Sequence, residues 1–304
     1  MKQIALEELL EAGCHFGHQV TRSNPKARDF VFEARDNIQI IDLAKTKEGL
    51  DEAAQFAKNL GQSGGSMLVV GTKRQAREIV EQEIVRVSNL LKDVKKDYNG
   101  NLFYITQRWV GGILTNFTEV SRNFKKLSDL KNTVSNPEES SKYTKKELGL
   151  FGKEIQRLES FYKGISQMTK LPDALFIIDS HLEHLAVREA TNMGIKTIAI
   201  VDTNADPFII DHPIPANDDA VGSIRLIVSH ILDAWAEGLK AQKPPKEPSG
   251  GEATVKKEKN PQPEEKSTEN KKDKAKTSTN NKPETQTKNL ESAKKTAVKK
   301  AKKE

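Results

Sequence analysis

Arg108-Trp109-Val110-Gly111-Gly112-Ile113-Leu114-Thr115-Asn116 sets a cation, an indole and a glycine pair between the apolar run Leu102 to Ile105 and a long helical pattern. A glycine pair allows positive φ and close approach of another backbone or a phosphate, while Arg108 supplies charge and Trp109 a flat stacking face. That chemistry suits a large anionic partner. The same letters also fit a glycine turn over a core tryptophan. Gly71-Thr72-Lys73-Arg74 follows a strand and opens a helix, but it lacks the glycine spacing of a dinucleotide fingerprint or a P-loop. Lys73, Arg74 and Arg77 put three cations into the first turns of a helix, the end where the dipole disfavours them, a placement that makes sense opposite phosphates. A third cluster, Arg22, Lys26 and Arg28, surrounds Asn24-Pro25 and precedes Phe30 and Phe32. Cations interleaved with rigid turns and aromatics suit a folded RNA, though a solvated loop accounts for any one of these stretches alone.

Residues for catalysis are less well arranged. Asp179 and Asp202 end strands, and Asp202-Thr203-Asn204-Ala205-Asp206-Pro207 gathers polar groups where ligands of doubly wound sheets bind. Asp202 and Asp206, two carboxylates four residues apart, could hold magnesium or pair with arginines, but capping and loop hydrogen bonds are commoner uses. His15 and His18 beside Cys14, and His181 with His184, would make a metal site only if the fold joined the two pairs. No serine occupies a nucleophile elbow, and nothing but His15 neighbours the lone Cys14. The expectation is no catalytic residue, no cofactor and no metal.

These residues need elements to hold them. Ile38 to Leu43, Met67 to Val70, Leu102 to Ile105, Ala174 to Ile178 and Thr197 to Val201 are nearly continuous apolar runs, as in strands covered on both faces. Amphipathic patterns at Thr46 to Leu60, Arg74 to Leu91, Leu182 to Met193 and Asp218 to Leu239 lie between or after them, which predicts an α/β fold with a parallel sheet and helices on both faces. One crossover is far too long. Phe117, Val120, Phe124, Leu127 and Leu130, then Phe151, Ile155, Leu158, Tyr162 and Ile165, recur at spacings of three and four around a bend at Ser135-Asn136-Pro137. This predicts an antiparallel helical hairpin inserted at about 114–170.

Composition breaks near residue 240. Residues 241–304 carry 18 lysines against 10 acids and no aromatic, a net of +8, whereas residues 1–240 carry 31 basic against 33 acidic side chains, a net of −2. The basic pI of about 9.1 therefore belongs to the tail, and any argument for an RNA partner must rest on local clusters. With a mean hydropathy of −0.64, the chain reads as a folded domain at 1–240 and a disordered lysine-rich tail at 241–304. The tail suits weak, salt-sensitive attraction to polyanions or mere solubilisation. The lone cysteine, the absence of a signal-peptide pattern and of a membrane-length apolar run lead to the expectation of a cytoplasmic protein without a membrane partner.

Gly13-Cys14-His15-Phe16-Gly17-His18-Gln19, Asn24-Pro25-Lys26, Ile40-Ile41-Asp42-Leu43-Ala44-Lys45-Thr46, Gly71-Thr72-Lys73, the Arg108 to Asn116 stretch, Leu171-Pro172-Asp173-Ala174-Leu175, His184, Glu189-Ala190, Asp202 to Pro207 and Ile214 to Ala220 occur in that order. Taken together they resemble the bacterial small-subunit ribosomal protein two family. The resemblance implies a Rossmann-like (flavodoxin-like) sheet carrying a coiled-coil hairpin, and a non-enzymatic structural role in translation. It also implies docking on small-subunit ribosomal RNA between head and body, beside neighbouring ribosomal proteins, and help in recruiting the large messenger-binding ribosomal protein one. On this resemblance the RNA-facing candidates are Arg22, Lys26, Arg28, Lys73, Arg74, Arg77, Arg108 and Trp109. Ser23, where the family is expected to have tryptophan, and Glu33, where it commonly has glycine, depart from the pattern. Two rival readings remain: a nucleotide- or sugar-phosphate-binding enzyme using the Gly71 turn and Asp202, and a protein adaptor working through the hairpin.

Overall fold

The structure, a computed structural model, describes residues 3–94 and 100–242. The expected lysine-rich tail lies outside them apart from its first two residues. The chain opens with helix α1 (Leu6–Glu11), then three short strands, β1 (Phe16–Gln19), β2 (Val31–Arg35) and β3 (Ile38–Ile41), which form a separate antiparallel sheet in the order β1-β3-β2. Asp36 and Asn37, with φ of 50° and 63°, make the two-residue hairpin turn between β2 and β3 that right-twisted strands favour. The run Ile38 to Leu43, expected in the parallel sheet, is thus corrected: Ile38–Ile41 pair with β1 and β2 instead. An apolar run of that length records burial but not its pairing partner.

Helix α2 (Leu43–Gln62) starts where Asp42 accepts the Ala44 N–H at 2.9 Å, and leads into β4 (Met67–Val70), α3 (Arg77–Val94) and β5 (Leu102–Ile105). After the Arg108 turn come α4 (Phe117–Ser135), the single turn α5 (Pro137–Ser140) and α6 (Lys145–Tyr162). Then β6 (Ala174–Ile177), α7 (His184–Met193), β7 (Lys196–Val201), β8 (His212–Pro215) and α8 (Val221–Ala241) complete the described chain. The five strands from β4 on are all parallel, in the order β5-β4-β6-β7-β8, which counted along the chain is the doubly wound order 2-1-3-4-5. None of the helices among the described residues is long and apolar enough to cross a membrane.

Two cores follow from strand periodicity. Met67 and Val69 face α2, α3 and α8, while Leu68 and Val70 face α7 and the base of α4 and α6. Trp235, fully buried on α8, donates its indole N–H to the Gly65 carbonyl at 3.2 Å. On the other face α4 and α6 pack through Val120, Phe124, Leu127, Leu158 and Tyr162, with Phe124 and Tyr162 edge to face at 5.6 Å. A capping box of Thr144 and Glu147 starts α6 and turns the chain back after α5.

Candidate nucleic-acid interface

All three basic stretches map to the carboxyl edge of the parallel sheet. The Arg108 turn follows β5, the Gly71 turn follows β4, and the Arg22 to Arg28 segment is tied to the loop after β7 by Asn24 N–H on the Thr203 carbonyl at 2.8 Å. Because β5 and β4 are neighbours while β7 lies beyond β6, two groups of cations flank a central stretch of edge.

The Arg108 turn is organised from inside. Glu189 on α7, 5% exposed, accepts the Trp109 indole N–H at 3.1 Å, the Gly112 N–H at 2.8 Å, the Leu114 and Thr115 N–H groups at 3.1 and 3.2 Å, and the Thr115 hydroxyl. Burial by itself would raise the Glu189 pKa, but these donors outweigh it and hold the carboxyl below the usual carboxylate range. Gly112 takes φ of 94°, the conformation the sequence anticipated for the glycine pair. Trp109 is buried in the core, so the stacking face expected of it is corrected: the indole supports the turn, while the Arg108 side chain is exposed. In the sequence Glu189 figures only in the family word Glu189-Ala190; its role as the anchor of this turn has no local signal, because its partners lie more than 70 residues away.

The Gly71 turn splits its cations three ways. Helix α3 starts only at Arg77, so Lys73 and Arg74 precede it in the loop. Lys73 is corrected from a phosphate-facing group to an internal one. Its side chain is 14% exposed, and Nζ lies 2.7 Å from Asp218, 2.7 Å from Asp219 and 3.2 Å from Asp179. Arg77 is half-buried, donating Nε–H to the Thr72 carbonyl at 2.9 Å and reaching the Gln107 side chain at 3.3 Å, which ties the Gly71 and Arg108 turns together. Arg74 is exposed and has no hydrogen-bond or ion-pair partner among the described residues.

Between the basic flanks lies an acidic centre. Asp179, Asp202, Asp218 and Asp219 come from the loops after β6, β7 and β8, with Lys73 and His18 among them. His18 places Nδ1 3.1 Å from Asp202 and Nε2 3.5 Å from Asp219, while its backbone N–H donates to the Thr203 hydroxyl at 2.9 Å, docking the small sheet onto the parallel one. The Asp202 hydrogen bond raises the His18 pKa against the opposing effect of burial. Asp218 is fully buried, and its pKa is pushed up to about 8 by burial first, then by Asp179 and Asp202, against the pull of Lys73. His18, Asp218 and Asp219 offer three ligand atoms within 4.8 Å of one another, enough to begin a cation site, though the Lys73 ammonium already serves both aspartates. The metal site that would have joined both histidine pairs is not formed: His181 and His184 are exposed and belong to no such cluster among the described residues. The Lys73 ammonium that a nucleotide phosphate would need is already taken by Asp218 and Asp219, which weighs against the rival enzyme reading.

The amino-terminal segment folds as two 3-10 turns, Val20–Arg22 and Pro25–Phe30, the second capped by Asn24 accepting the Lys26 N–H at 3.0 Å. Lys26 pairs with Asp206 at 2.5 Å. Arg22 and Arg28 are exposed without partners among the described residues, and Phe32, 72% exposed, supplies the free aromatic face that Trp109 does not.

Comparison with known proteins gives the family of the chain. Residues 9–238 match the family model described as ribosomal protein S2. The chain is 46% identical over 235 residues to the small ribosomal subunit protein uS2 of Roseiflexus sp. (strain RS-1), covering 77% of this chain and 84% of that protein.

Proposed function

The chain belongs to the ribosomal protein S2 family, non-enzymatic structural constituents of the small ribosomal subunit, and from that premise we propose that the carboxyl edge of its parallel sheet is the face that docks on small-subunit ribosomal RNA. The observation carrying this reading is that Arg22, Arg28, Arg74 and Arg108, drawn from three separate loops of one sheet edge, are exposed and unpaired among the described residues. Guanidinium forks match the paired oxygens of a phosphate, so phosphates are their natural complement. Lys26 and Arg77 keep part of their hydrogen-bonding capacity occupied and act at the margin of the dock. Lys73 and Trp109 shape the loops from within.

In this reading the sheet is a Rossmann-like, flavodoxin-like scaffold whose ligand edge has been given to RNA, and α4 with α6 forms its coiled-coil insert. The dock lies between the head and body of the small subunit beside neighbouring ribosomal proteins, and the bound protein supports recruitment of ribosomal protein one. The lysine-rich tail adds attraction that salt removes.

The deciding experiment is co-sedimentation of the full chain with small subunits stripped of this protein. Arg74→Glu combined with Arg108→Glu should abolish co-sedimentation and leave the melting temperature of the free protein unchanged. Full retention of the double variant on the particle would refute the dock.

A further inference from the structure

We propose that the groove between α3 and α8, lined by Arg74, Gln75, Glu78, Ile79, Val221 and Arg225, is a phosphate clamp that takes a phosphodiester of the RNA backbone between two arginines. This rests on the RNA-dock reading and extends it to Arg225, a residue that carried no signal in the sequence. The groove has a volume of about 480 Å³. Arg74 reaches it from the loop before α3, and Arg225 from the first turns of α8.

Both guanidinium groups are exposed and lack a hydrogen-bond or ion-pair partner among the described residues. Two arginines face one acid in the lining, a net charge of +1: Glu78 accepts a hydrogen bond from Gln82 at 2.8 Å and forms no ion pair among the described residues, while Asp219 is held by Lys73 and His18. Arg225 has Val221 and Ser229 four residues away on either side, so its own helix offers no carboxylate. Two planar forks lining one concave site match the oxygens of a phosphate better than either does alone. Ile79, 3% exposed, supplies apolar wall, which lowers the local dielectric and strengthens the attraction. The start of α8 at Val221 has no side-chain cap, so its dipole adds to the positive field of the arginines.

The test is equilibrium binding of the full chain to purified small-subunit ribosomal RNA across a salt series, for wild type, Arg74→Ala, Arg225→Ala and the double variant. Arg225→Ala should weaken binding about tenfold, the amount a lost charge-assisted hydrogen bond represents, and should lower the steepness of the salt dependence by about one unit. The double variant should lose less than the product of the two single losses, because both arginines hold the same phosphate. Wild-type affinity and slope in Arg225→Ala would overturn the clamp. If the Arg74→Glu, Arg108→Glu pair still lost co-sedimentation in that case, the wider dock would stand without it. Thermal stabilisation by inorganic phosphate that Arg225→Ala removes, with RNA binding unaffected, would reassign the groove to a free anion and equally overturn the proposal.

Discussion

Trp109 donates its indole N–H to Glu189 at 3.1 Å, and the backbone of Gly112, Leu114 and Thr115 converges on the same carboxylate. The position of Arg108 on the surface is therefore fixed by a buried anion on α7. A residue chosen in the sequence for stacking turns out to be a beam of the loop it belongs to.

Glu189→Gln should cost about 2–4 kcal/mol in chemical denaturation, because a neutral amide offers one acceptor oxygen to donors that now share two charged ones. The loss has a pH signature. The folded pKa of Glu189 lies below the ordinary value of 4.5, so its contribution is complete above that pH and disappears as the pH falls through the lowered folded value. Denaturation midpoints of wild type and variant should converge on acidification; a gap that persisted into strong acid would contradict this assignment.

Trp109→Phe separates structure from recognition. Losing one charge-assisted hydrogen bond while keeping an aromatic ring should lower stability by about 1–3 kcal/mol, with affinity for small-subunit ribosomal RNA unchanged once the protein is folded. A variant of wild-type stability that bound RNA weakly would restore the indole as a stacking platform.

What could be read from the letters depended on whether the signal was local. Met67–Val70, Leu102–Ile105, Ala174–Ile177 and Lys196–Val201 form central or doubly covered strands, so their apolar runs are nearly unbroken and were legible. Strand β8, His-Pro-Ile-Pro, was not: its two prolines argue against a strand except at a sheet edge, which is where it lies. The small sheet escaped notice because β1 and β2 are short and bury little, so neither shows an alternating apolar face, and Ile38–Ile41, read alone, looked like a core strand. In the site, the loops were located correctly but not the direction of each side chain. Lys73 and Arg74 are adjacent in sequence, yet one turns to Asp218 and the other to solvent, because the partner arrives from a loop 145 residues away.

Lys73→Met should be among the more damaging single changes in the domain. Above about pH 8, where the buried Asp218 carboxyl is charged, it strips the shared cation from Asp179, Asp218 and Asp219, and a broken buried pair costs about 3–5 kcal/mol. Adding Asp218→Asn should return part of that loss, since the neutral amide no longer needs a counter-charge. Urea denaturation of the two variants decides it: a double variant as unstable as the sum of both single changes would show that Lys73 and Asp218 act independently.

The packing of α2 on α8 gives the last prediction. A Cβ placed on Gly238 would lie 2.0 Å from the Lys58 carbonyl oxygen, and one on Gly61 would lie 2.1 Å from that of Trp235. Both obstacles are backbone, so no side chain can swing aside and the helices must separate. Gly238→Ala gains about 1 kcal/mol of helix propensity but forces overpacking that costs about 3 kcal/mol or more, for a net loss near 2 kcal/mol. Gly152→Ala on α6, whose Cβ would meet nothing within 4 Å, keeps the gain without the clash and should raise stability by up to about 1 kcal/mol. Denaturation midpoints moving in opposite directions for the two substitutions would establish that contact between the helix backbones, rather than glycine flexibility, sets the requirement at Gly238; a shift of the same sign in both would remove that explanation.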